Sequence, residues 1–167
     1  DWTGARSCFV YTSKETMTFG AFAEIIFTAP LADKIYIGNV TIDAGDPTST
    51  TFTGETPTAI CATGNNTFWV SFVGSGKLKQ YRVNTPGGSY PTLTQVGYEI
   101  NVASVVELLH DGRYLWALST AGANGTIYKI DNSGLILESF AFGAGTVSSR
   151  SRMCFAGTRL WITRGAN

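Results

Sequence analysis

One histidine, three cysteines and a scatter of carboxylates are all that this chain offers for proton transfer, metal binding or nucleophilic attack. His110 stands beside Asp111-Gly112, a turn signal between two apolar runs, so its imidazole is expected to bond the turn or water rather than act as a base. Asp111 and Asp131 also fall at turns, where an Asp carboxylate accepts backbone N–H groups, and Asp43 and Asp46 flank a glycine in the same way. Asp33, Asp43, Asp46 and Asp131 would hold a cation only if turns from separate units met, and they show no Ca²⁺-loop spacing. Cys8, Cys61 and Cys154 are widely spaced and set in apolar strand-like runs, which suits small buried hydrophobes better than metal ligands. A Cys8–Cys154 bridge would require the chain ends to meet. No Gly-x-Ser-x-Gly, phosphate loop or His-x-x-x-His occurs. The sequence therefore shows no catalytic constellation, no metal site and no cofactor motif.

Charge narrows the partners. Twelve basic and twelve acidic residues cancel, which gives no global field for nucleic acid or anionic membrane. No apolar run approaches the roughly 18–20 residues of a membrane-spanning helix. Locally, Arg150, Arg152, Arg159 and Arg164 follow the last acidic residue, Glu138. They are either solvated surface charges or a patch for an anionic partner. Only 14% of residues are charged, against roughly 25% in ordinary soluble domains, while Gly, Thr and Ser are abundant. That balance suits extracellular and virion-surface proteins.

The elements that must position these residues are strands. Runs of four to seven residues rich in Val, Ile, Thr, Tyr, Phe and Trp alternate with Gly, Asn, Asp and Pro punctuation. The β-branched residues of Val102–His110, with the turn that follows them, make that run a strand too. The runs repeat. Trp69 falls on Trp116, Tyr81 on Tyr128, Val83 on Ile130, Asn84 on Asp131 and Gly87 on Gly134, all at an offset of 47, and Trp161 follows Trp116 by 45. One unit predicts strands over Thr58–Thr63, Thr67–Val73, Lys77–Val83 and Leu93–Ile100. The next predicts them over Ser104–His110, Tyr114–Thr120, Thr126–Ile130 and Leu135–Phe142. Four antiparallel strands per 45-residue repeat is the signature of a propeller blade. A ring recurring once per blade is expected to fill the core between blades.

The repeat Gly54–Ile60, then Gly125-Thr-Ile-Tyr-Lys-Ile-Asp-Asn-Ser-Gly134 and Ser139–Gly143, resembles the NHL and YVTN-type β-propeller repeats, including those of streptogramin-lyase-like propellers. The resemblance covers roughly residues 41–167 and implies architecture, because the matching residues are those that build blades. The expected fold class is an all-β propeller, closed with four blades or forming a segment of a larger ring. As one domain, residues 1–53 would form an irregular first part, 54–102 and 103–146 a blade each, and 147–167 a half blade. That half blade could be completed by residues 5–20, with Ser7–Thr12 and Thr16–Phe19 as its outer strands. Copies from separate chains assembling into a ring is the other arrangement.

The function expected is a non-enzymatic binding or structural module, extracellular or virion-associated as in a phage tail or receptor-binding protein. Loops on such a scaffold carry recognition, and the candidates are Asn65, Asn66, Tyr90, His110 and Arg113. The partner would be a protein or a glycan, with the chain a homo-oligomer or part of a larger assembly. A glycan-binding propeller would expose its Trp rings. A metal-dependent lyase or lactonase-like hydrolase would need acidic ligands converging on the channel.

Overall fold

The computed structural model describes residues 7–12, 23–39, 48–64, 66–84, 92–122, 124–143 and 147–163. Apart from a single 3-10 turn at Pro30–Ala32, every regular element among them is a strand. The first sheet holds β1 (Ser7–Thr12), β2 (Ala23–Ala29), β3 (Lys34–Asn39) and β4 (Thr48–Thr51). The second holds β5 (Pro57–Gly64), β6 (Thr67–Phe72), β7 (Lys77–Asn84) and β8 (Thr92–Asn101). The third holds β9 (Val105–His110), β10 (Leu115–Ser119), β11 (Thr126–Ile130) and β12 (Ile136–Ala141). A final hairpin pairs β13 (Met153–Ala156) with β14 (Arg159–Ile162). Within each sheet the strands lie in chain order and pair antiparallel, and the fully described connections, such as β6–β7 and β9–β10, are short hairpin turns.

Among the described residues of 1–53, the strands β1 to β4 form one four-stranded sheet. Ser7–Thr12 does not complete the final hairpin, because it pairs with β2 from Ser7↔Thr28 to Thr12↔Ala23. Strands adjacent in sequence close a short loop at less entropic cost than strands from opposite chain ends. The predicted strand Thr16–Phe19 lies outside the described residues.

The sheets fan from a shared inner edge. The first strand of each sheet meets the next: β1 packs on β5, β5 on β9, and β9 on β13. Burial falls outward from that edge. Residues Phe68–Phe72 of β6 are all buried, β8 is mostly exposed, and every residue of β12 is exposed.

Three apolar layers separate the sheets. Ile26, Ile35 and Ile37 meet Phe68, Val70, Phe72 and Val83 between the first and second. Trp69, Leu78 and Ile100 meet Val105, Leu108, Leu115 and Ile130 between the second and third. A thinner layer of Leu118, Ile127 and Met153, with Trp116 and Leu160 at its margin, lies under the final hairpin. The period of two sends Trp69 to one side of β6 and Phe68 and Val70 to the other, so one strand serves two layers. Trp69 and Trp116 take the expected packing role. Trp161 does not: it is 56% exposed.

Hydroxyls stitch the inner edge where apolar contact cannot satisfy the backbone. Buried Thr28 donates to the Thr58 carbonyl at 2.9 Å, and Thr58 in turn donates to the Val105 carbonyl at 3.0 Å. A step from sheet to sheet is thus bridged by a side chain of the preceding one.

Candidate functional site

Antiparallel hairpins place turns at two ends of the molecule, and each end carries a cavity. At the end of the β9–β10 turn, a groove of about 660 Å³ opens between that turn and the β13–β14 turn. Its walls are Leu109, His110, Asp111, Arg113 and Tyr114 on one side and Cys154, Phe155, Gly157 and Thr158 on the other. Phe155 also meets Trp116 edge-on, with ring centroids 6.0 Å apart, which fixes the floor.

The turn is organised by Asp111. Its carboxylate accepts the amides of Arg113 at 2.8 Å and Tyr114 at 2.6 Å, and the Trp116 indole N–H at 2.8 Å. Desolvation works against its charge, but the Trp116, Tyr114 and Arg113 donors outweigh it and hold the carboxyl below the usual range. Both nitrogens of His110 are engaged as well. Nδ1 accepts the Gly112 amide at 3.2 Å, which leaves the proton on Nε2 to be donated to Asn132 Oδ1 at 3.2 Å. The imidazole is a turn anchor, as its position beside Asp-Gly implied.

What the groove presents outward is cationic and aromatic. The Arg113 guanidinium lies 5.0 Å from the Tyr114 ring centre and Lys129 Nζ 4.6 Å from it, so two cations lie against the phenol ring. Lys129 also reaches Trp116 at 5.7 Å and pairs with Glu138 at 3.7 Å. Arg113 makes no ion pair among the described residues and is free to meet an incoming acceptor.

At the opposite end, a cavity of about 340 Å³ lies where β5, β9 and β13 begin. Thr56, Thr58, Ser104, Thr120 and Ser149 give it hydroxyls, Arg152 a charge, and Leu31, Val73 and Val106 apolar wall. Thr56 and Ser104 each precede a first strand with left-handed φ, 49° and 53°. A β-branched residue adopts that region only under constraint. Asp33 supplies it, accepting the Thr56 amide at 3.1 Å, the Thr56 hydroxyl at 3.0 Å and the Gly54 amide at 2.9 Å. Arg152 donates to the carbonyls of Ser149 and Ser151 and pairs with Glu107 at 3.5 Å. Burial pushes the Glu107 carboxyl up, and Arg152 only partly offsets this.

The sequence-derived candidates are therefore divided. His110 and Arg113 share the groove; Asn66 belongs to the turn of the preceding sheet, where its carbonyl accepts the Val83 amide. Asn65, Tyr90 and Arg164 lie outside the described residues, as do Asp43 and Asp46. The three described arginines of the tail take separate places. Arg152 lines the cavity where β5, β9 and β13 begin, Arg159 begins β14 at the other end of the same hairpin, and Arg150 is exposed on a turn. Asp33 and Asp131 are turn anchors, Asp131 accepting from Ser133 and Leu135. Among the described residues no three His, Cys, Asp or Glu side chains gather as a metal-binding group. Burial pushes the Cys61 thiol up to about 11, whereas Cys154 is exposed and free. Tyr114 and Phe155 were not singled out in the sequence, and Cys154 was weighed there only as a buried thiol or a bridge partner; the signal for the groove is the offset that aligns the β10 tryptophan with its neighbours.

No described family and no curated protein matches the chain. Among solved structures, that of selenomethionine-substituted virginiamycin B lyase from Staphylococcus aureus aligns with a TM-score of 0.55 and 20% identity, over 84% of this chain. The fold is that of β-propeller blades. The chain spans 45% of the length of the lyase chain it matches. At that identity the likeness concerns fold, and the resemblance of the repeats to streptogramin-lyase-like propellers agrees with it.

Proposed function

We propose that this chain is a non-enzymatic binding module that recognises a protein partner through carboxylates docking in the groove between the β9–β10 and β13–β14 turns. The observation that carries this reading is the pairing of a free Arg113 with Tyr114 beside an acid, Asp111, whose oxygens are already engaged by the turn. A general base needs an uncommitted lone pair facing the substrate. Here Asp111 and His110 spend theirs on the fold, and what remains suits a bidentate acceptor rather than proton transfer. An extracellular or virion-associated setting belongs to the same proposal and rests on the low charge and the Gly, Thr and Ser content.

A panel of immobilised acidic, neutral and basic peptides tests it. Acidic peptides are expected to be retained, and Arg113→Ala to weaken that retention roughly tenfold or more, the worth of one charge-assisted hydrogen bond. Retention indifferent to peptide charge, or unchanged in Arg113→Ala, overturns the reading. One observation favours a glycan-binding alternative: the Trp161 ring is open to water, as sugar stacking needs. Saturable sugar binding lost in Trp161→Ala would establish it. The enzymatic alternative has the lyase neighbour behind it, and the neighbour contributes fold alone.

A further inference from the structure

The second sheet, the third sheet and the final hairpin each place one residue at the same point of the repeat, immediately before the first strand. These residues are Thr56, Ser104 and Arg152, spaced by 48 each time. Their carbonyls accept the amides of Val73, Thr120 and Thr163 at 3.1, 2.9 and 2.9 Å, so the three positions are equivalent in structure as well as in spacing. All three line the cavity where β5, β9 and β13 begin. Two bring a hydroxyl and the third a guanidinium. Short side chains serve the fold at this point, so the cation is an addition to the cavity rather than a need of the blade.

The walls repeat with their chemistry exchanged. Two residues further on, the second sheet has Thr58 and the third Val106; beside them stand Val73 in the second and Thr120 in the third. Each wall thus pairs one hydroxyl with one isopropyl group, and Leu31, 84% exposed, adds apolar surface. The hydroxyls of Thr56, Thr58 and Thr120 are committed to Asp33 and to the carbonyls of Val105 and Ser104. Those of Ser104 and Ser149 make no hydrogen bond among the described residues. In Arg152, Nη1 serves the Ser149 and Ser151 carbonyls and Nε faces Glu107, which leaves Nη2 as a donor.

The charges around the cavity decide the charge of what it takes. Arg152 is balanced by Glu107, and Asp33 is held below the usual carboxylate range by its Gly54 and Thr56 donors. An anionic head would gain one cation and face two carboxylates, and a cationic head would meet Arg152. A neutral head that both accepts and donates avoids either cost. A volume of about 340 Å³, at roughly 30 Å³ per water, holds a molecule of about ten non-hydrogen atoms.

We propose that this cavity is a second binding site, for a small neutral amide with an apolar tail. The amide carbonyl accepts from Arg152, its N–H donates to the hydroxyl of Ser104 or Ser149, and the tail lies on Val73, Val106 and Leu31. The site is at the opposite end from the groove and does not depend on what the groove binds.

Hexanamide, hexanoate and hexylamine share a tail and differ in the charge of the head. Titrated in turn into isotope-labelled protein, hexanamide is expected to saturate, to shift the amide resonances around Thr56, Ser104 and Arg152, and to bind roughly tenfold or more tightly than either charged analogue. Arg152→Gln is expected to weaken hexanamide by roughly tenfold or more, the worth of one hydrogen bond to a charged group. Val73→Trp, at a position 42% exposed, fills the cavity and should abolish the shifts while the rest of the spectrum stays that of the folded chain. Hexanoate or hexylamine bound as tightly as hexanamide overturns the proposal. So do shifts that never saturate, or saturable binding that survives Val73→Trp.

Discussion

Glu107 is the residue whose charge fits its place least well. Burial raises its pKa, and the ion pair with Arg152 at 3.5 Å restores only part of the lost solvation. A raised carboxyl contributes fully to stability while protonated, below the unfolded-state value of about 4.3, and that contribution is lost as pH rises through the folded value. Glu107→Gln, which mimics the protonated acid, should therefore unfold at the same or higher denaturant concentration than wild type at pH 7. The difference should close as pH falls below about 4.3. A Glu107→Gln protein clearly less stable at neutral pH would show that the Arg152 pair outweighs burial. Nothing in the sequence marks this residue. It sits mid-strand among apolar neighbours, and only the approach of β13 to β9 gives it a partner.

At the level of elements, the hairpin turns were legible because glycines and Asp carboxylates are needed at fixed places in tight reversals. Predicted strands such as Lys77–Val83 and Thr126–Ile130 coincide with β7 and β11 to within a residue. The pairing of Ser7–Thr12 was not legible, since a strand's own residues say nothing about which edge it joins. Nor was the close approach of the β6–β7 turn to the segment before β5. There a Cβ added to Gly74 would lie 2.1 Å from the Gly54 carbonyl oxygen and 3.0 Å from Glu55 backbone atoms. Gly74→Ala should cost about 1–3 kcal/mol, because backbone on both sides must move. Gly143→Ala, where nothing lies within 4 Å, is the control and should unfold near wild type. Thermal melts of the two variants compare them directly, and equal melting temperatures would show that the turn yields freely.

For the whole molecule, repeat spacing carried the architecture, and residue type carried half of the site. His110 and Arg113 were reachable because Asp-Gly turns lie between strands. Of the arginines, Arg152 and Arg159 fall at opposite ends of the hairpin, whose strands are four residues each. Composition cannot report on that geometry. The cavity where β5, β9 and β13 begin escaped notice because Thr56 and Ser104 look like ordinary linker residues until three sheets bring them together.

Separate apolar layers, each shared by two neighbours, make this a chain of local bargains rather than one cooperative block. Among the described residues, the layer under the final hairpin has three buried residues, against ten in the one between the second and third sheets. Loss of structure should start there and travel inward. Native-state hydrogen exchange checks the order: amides of β13 and β14 should open at low denaturant, while those of β6 and β10 are released only with global unfolding. A protein that frays from its C-terminal hairpin would expose Met153 and Leu160 long before it lost the rest, and proteases would find that hairpin first.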